Sequence, residues 1–159
     1  MRAPKLVQLM KAKETELSEE LVRKIRASER CKDLFLRVPE SEQRQYVLET
    51  FQDLTQWLSN EKDSILEECY VKLGMRRAGQ RVPLCEMSWA ITIAHEFLWD
   101  YTQQECLLEE PVEFWGGVVL LQSLNRFFDR VLYFALLGYE KAEKGESAAL
   151  SFLAHRRSA

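Results

Sequence analysis

The sequence predicts an all-α, single-domain protein of five to seven helices gathered around one long central helix. Three observations carry this. Residues 111–144 repeat apolar side chains at helical spacing. Six Gly and four Pro in 159 residues leave few of the turn signals that many short strands need. Eight Phe, five Tyr and four Trp, in a chain 47% hydrophobic and 30% charged, supply rings for one sizeable core and argue against disorder. The formal net charge of -3 offers no global attraction to nucleic acid or an anionic membrane.

The central segment carries two adjacent stripes. Phe114, Val118, Leu121, Asn125, Phe128, Leu132, Ala135 and Tyr139 form one; Gly117, Leu120, Leu124, Phe127, Val131, Phe134 and Gly138 form the other. Together they make an apolar arc wider than an ordinary surface helix requires, so the helix should be central or turn half its girth to a second chain. Asn125, Phe127, Phe128, Val131, Phe134 and Tyr139 are the candidate interface of a homodimer. Arg126, Asp129 and Arg130 interrupt the apolar run, which therefore does not read as membrane-spanning. Gly116 and Gly117 weaken a helix interior by about 1 kcal/mol each, which a close helix crossing or a kink would explain.

The remaining elements follow in order. Residues 1–30 set Leu6, Leu9, Met10, Leu17, Leu21 and Ile25 among Lys and Glu, an amphipathic arm of one or two helices that packs loosely or against a partner. Residues 31–38 are a short helical connection ending before Pro39. Ser41 can cap the next helix, with Val47, Phe51, Leu54 and Leu58 on its buried side; Ser59 and Asn60 break it. Ile65, Leu66, Cys69 and Leu73 mark a further helix, joined to the last so closely that an antiparallel hairpin is expected. Val82 and Pro83 open a helix that buries Met87, Ala90, Ile91, Ala94, Phe97, Leu98 and Tyr101. Residues 39–144 thus form the core, and residues 145–159 a tail in which 145–147 stop the central helix and 148–155 form a short one.

Cysteines at 31, 69, 85 and 106 form no CxxC pair and follow no secretory signal, which suits four free, mostly buried thiols in a reducing cytoplasm. His95 and His155 stand far from each other and from any clustered thiols, so no metal site is expected.

Leu73-Gly74 with Arg76, Arg77, Gln80, Val82, Pro83 and Leu84, and Phe127-Phe128-Asp129-Arg130 with Tyr133 and Gly138-Tyr139-Glu140, resemble the N-terminal domain of RsbT co-antagonist proteins of the RsbRD type. The resemblance spans residues 6–144. It implies a helical, cytoplasmic, non-enzymatic input domain of bacterial stress regulators, similar in style to the haem-free globin-like sensors that act as dimers. The arrangement expected is therefore globin-like or a bundle. Cys85 departs from the Ser or Thr that such domains often place after Pro-Leu as a helix cap. No antagonist, kinase or receiver domain follows, so the chain is expected either to be part of a larger regulator or to signal through a partner.

Four places bear chemistry worth weighing. His95, beside Ile91 and Trp99, is a candidate ligand for haem or another small molecule; a boundary histidine with a hydrogen-bonded ring is the competing reading. Arg76 and Arg77, with Lys72 and Arg81, can take a phosphate or an acidic partner, or simply answer a helix dipole. Asn125, inside an apolar stripe, can set the register of a helix pair across a dimer or bond a neighbouring helix of its own chain. Trp89, Phe97, Trp99 and Tyr101 can line a cavity or fill the core.

No G-x-S-x-G, P-loop, HExxH or close Cys-His pair is present, so no enzyme is expected. The expected function is regulatory: a domain that receives a signal or partner and passes the change through helix packing to a homodimer interface, an output domain or a partner signalling protein. A haem or small-molecule sensor and a nucleic-acid-binding adaptor are the alternatives.

Overall fold

The computed structural model describes residues 3–106 and 111–157, and among them seven α-helices and no strand. The helices are α1 (Ala3–Ala12), α2 (Glu14–Ala27), α3 (Lys32–Arg37, entered through a 3-10 turn at Glu29–Cys31), α4 (Glu40–Asn60), α5 (Asp63–Gly79), α6 (Leu84–Cys106) and α7 (Pro111–Arg157).

The first two helices are integral to the core and not a loose arm. Met10, Leu17, Leu21, Val22 and Ile25 are all buried, because steps of three and four put them on one side, against α4 and α6. Val38 is extended ahead of Pro39, as the ring of a following proline demands, and ends α3. The amides of Asp33 and Leu34, at the exposed start of α3, donate to the Glu86 carboxylate of α6 at 3.2 and 2.8 Å. A carboxylate from a neighbouring helix thus does what a local cap does elsewhere.

Several boundaries differ from the expectation. Ser41 does not cap α4, which starts at Glu40 directly after Pro39 with acidic residues in its first turn. α4 ends at Asn60, where Ser59 and Asn60 are expected to break it. The chain turns at Glu61, which adopts a left-handed conformation (φ 48°) and donates its N–H to the Trp57 carbonyl. The Glu61 carboxylate accepts from Ser123 Oγ at 2.8 Å and Arg126 at 2.9 Å, which ties the turn to α7. Residues 145–157 continue α7 without a stop at Gly145, since a single glycine weakens a helix without ending it. α7 therefore runs for 47 residues.

α5 packs along α7 and approaches α4 only through long side chains, so the expected hairpin is splayed. The reason is glycine. A methyl group on Gly74 would lie 1.9 Å from the Ala135 carbonyl oxygen, and one on Gly138 would lie 2.0 Å from that of Val71. Backbones meet at this crossing, which only residues without a Cβ permit. Gly116 and Gly117 lie within the uninterrupted α7. Among the described residues no helix is long and apolar enough to cross a membrane.

Candidate functional site

At the centre of the fold, α2 to α7 leave an apolar cavity of about 100 Å³. Val22, Ile25, Leu34, Val47, Leu73, Met87, Ala90, Ile91, Ala94, Phe128 and Val131 supply its greasy wall. Gln43, Tyr46, Thr50, Tyr70 and Arg77 supply a polar arc. Protein interiors rarely keep voids much larger than a water molecule. This one is not sealed, being partly open to solvent.

Four side chains of the polar arc, Gln43, Thr50, Tyr70 and Arg77, have partners within the chain. Gln43 Nε2 donates to the carbonyls of Leu34 and Val38 at 3.4 and 3.2 Å. Thr50 Oγ1 donates to the Tyr46 carbonyl at 2.8 Å, and the Tyr70 hydroxyl donates to Asp53 Oδ2 at 2.9 Å. Burial pushes the Tyr70 phenol well above its ordinary range and raises the Asp53 carboxyl, although the Tyr70 hydrogen bond opposes the second shift.

Arg77, 5% exposed, stands at the edge of the cavity with its guanidinium 4.8 Å from the centre of the Tyr46 ring. It donates to Glu42 Oε1 at 2.9 Å and to Gln80 Oε1 at 2.8 Å. Arg76 forks onto both oxygens of the same carboxylate, and Gln80 Nε2 reaches both at 3.1 Å. The Arg76 hydrogen bond leads in holding Glu42 at about 2, with Arg77 and Gln80 adding to it and burial opposing. Two members of the expected basic patch, the exposed Arg76 and the buried Arg77, thus converge on one carboxylate. Lys72, its exposed neighbour, pairs with Glu68 at 3.4 Å.

His95 and Trp99 lie in a different place, an open groove of about 460 Å³ shared with Thr92, Glu96, Asp100 and Asn125. The His95 ring stacks on Phe128, centroids 4.8 Å apart and planes within 12°. Its Nε2 lies 2.8 Å from Asn125 Oδ1, an acceptor, which puts the ring proton on Nε2. Iron ligation through Nε2 would cost that bond. Asn125 therefore has its partner within its own chain, on α6.

The remaining residues of the expected interface are core. Phe127 is 0% exposed, and Phe128, Val131, Phe134 and Tyr139 are buried with it. Phe127 packs edge-on against Tyr70 and Phe128, and Tyr139 donates to the Val82 carbonyl at 2.7 Å. Their wide apolar arc packs against α5 and α6 of the same chain. Exposed apolar side chains on α7 stand elsewhere, at Val119 and Tyr133 and, beyond the core, at Leu150, Phe152 and Leu153.

Of the aromatics expected to line a cavity, Phe97 is buried in the core and Trp89 and Tyr101 pack half-buried against it. The void opens instead beneath Ala90 and Ala94, two small residues one turn apart on the same helix. That spacing was the available signal. Of the cysteines, Cys31 is buried, which raises its thiol to about 11, while Cys69 and Cys85 are exposed, against the expectation of mostly buried thiols. Cys106 lies outside the described side chains.

The RsbT co-antagonist protein rsbRD N-terminal domain is the family whose model matches the chain, over residues 15–150. That stretch takes in α2 through most of α7 and both halves of the glycine crossing. No curated protein and no solved structure matches.

Proposed function

The chain belongs to the RsbT co-antagonist rsbRD N-terminal domain family, a family of regulatory domains in stress-signalling proteins, and from that premise we propose that it is a non-enzymatic, cytoplasmic input domain that transmits a signal through helix packing. The observation that supports this most is the course of α7. One helix carries the heart of the core, from Leu120 to Tyr139, and then continues into turns whose Leu150, Phe152 and Leu153 are more than half exposed. A shift of its packed portion moves the exposed end as a rigid lever, and closely packed helices shift between discrete arrangements.

The exposed end is where we place self-association and contact with an output domain or partner protein. A helix with a broad unpartnered apolar face gains by burying it against another. Nucleic acid is not a partner on this reading, because Arg76 and Arg77 are engaged with Glu42. Light scattering of the purified chain tests it: a dimer is expected, and Leu150→Ser with Leu153→Ser should yield a monomer of unchanged helicity. A wild-type chain that is monomeric at every concentration removes the dimer route.

A further inference from the structure

We infer that the central cavity is a binding site for a small, uncharged, apolar molecule of about six non-hydrogen atoms or fewer, and, on the regulatory reading above, that this molecule is the signal. The size limit follows from the volume. An enclosed apolar cavity of ~150 Å³ accepts benzene or xenon; this one is about 100 Å³ and partly open, which makes benzene the upper limit of size.

The class follows from the wall. Gln43, Thr50, Tyr70 and Arg77 spend polar atoms on partners within the protein. Arg77, the cation among the described residues that line the cavity, already faces the Glu42 carboxylate. A charged ligand would have to break that pair in a buried place, whereas an apolar one fills space beside Ala90, Ala94 and Val131 and covers apolar wall that is otherwise open to water. Half-buried Tyr46, Val47 and Ile91 border the cavity and offer a way in. The site also touches what must move, since Phe128 and Val131 belong to α7 and Tyr70, Leu73 and Arg77 to α5.

The test is a titration of the isotope-labelled full chain with benzene, followed by amide and methyl shifts, with benzoate as the charged counterpart of similar shape. Saturable shifts clustered at Val22, Ala94 and Val131, a rise in melting temperature with benzene concentration and no response to benzoate are expected. Ala94→Leu, which fills the void, should abolish benzene binding while keeping the wild-type far-UV spectrum. Should that variant fail to fold, Ala90→Val takes its place. Scattered or non-saturating shifts, tighter binding of benzoate than benzene, or undiminished binding in a folded filled variant would overturn the site. Benzene binding that leaves self-association unaltered keeps the site and removes only its role as the signal.

Discussion

One stripe of α5, carrying Tyr70, Leu73, Gly74 and Arg77, makes two kinds of contact that could hardly differ more. Toward α7, Gly74 brings backbone against backbone, with no room for a single carbon. Toward α4 and α6, Tyr70, Leu73 and Arg77 border a void large enough for a small molecule. The first contact fixes the position of α5 on α7, because backbone meets backbone at Gly74 and Gly138. The second leaves the packing of α2, α4 and α6 adjustable, because side chains around a void relax at lower cost than backbones in contact. Adjustment in this fold is thus expected beside the cavity, with α5 and α7 moving as one piece.

Four changes would break or sharpen that contrast. The largest effect belongs to Gly74→Ala or Gly138→Ala. The added methyl meets backbone atoms that cannot rotate away, so a loss of at least about 3 kcal/mol is expected in urea unfolding. A near-neutral result would mean the two helices are not held as one.

Next comes the Glu42 carboxylate of α4, which holds Arg77 at the edge of the cavity. Glu42→Ala leaves Arg77 buried with Gln80 as its remaining hydrogen-bond acceptor beside the Tyr46 ring, and should cost about 3 kcal/mol. The pH dependence has a definite sign. Unfolded, Glu42 takes a proton near 4.5; folded, not until about 2. The unfolded chain therefore binds more protons in that window, and the stability Glu42 contributes, complete above 4.5, drains away as pH falls toward 2. Wild type minus Glu42→Gln, measured by denaturant melts across the window, should show that slope.

A smaller gain is expected from filling the void. Ala94→Leu should stabilise by about 1 kcal/mol, a few degrees in melting temperature by calorimetry. The same leucine at Gly74 should do the opposite. Least of all, Leu150→Ser, Phe152→Ser and Leu153→Ser together should leave stability within about 0.5 kcal/mol, since these side chains are exposed. Their effect should appear in sedimentation and not in the melt.

Much of the fold was legible from local pattern. The stripes of residues 111–144, the end of α3 before Pro39 and the start of α6 after Pro83 all rest on periodicity or on a proline's fixed geometry. The stop expected at Gly145 failed because glycine lowers helix propensity without forbidding helix. The candidate site was less legible. Arg76 and Arg77 were visible as a basic pair, but Glu42, which neutralises them, lies more than thirty residues earlier, and nothing local couples the two. Gly74 and Gly138 stood in the segments that carry the family resemblance, yet their contact with each other's helices has no signature in spacing.

What the sequence by itself determined was helix, position by position, and which side of each helix avoids water, since both depend on neighbours three or four residues away. Tertiary structure alone decided which greasy face meets which. It turned Phe127, Phe128, Val131, Phe134 and Tyr139 inward to this chain's own α5 and α6, gave Asn125 a histidine for a partner, and left a void beneath Ala90 and Ala94. Burial of an apolar arc is favourable against any apolar surface, so the periodicity that creates the arc cannot specify its cover. The choice falls to shape, and here two glycines that let backbones touch made it.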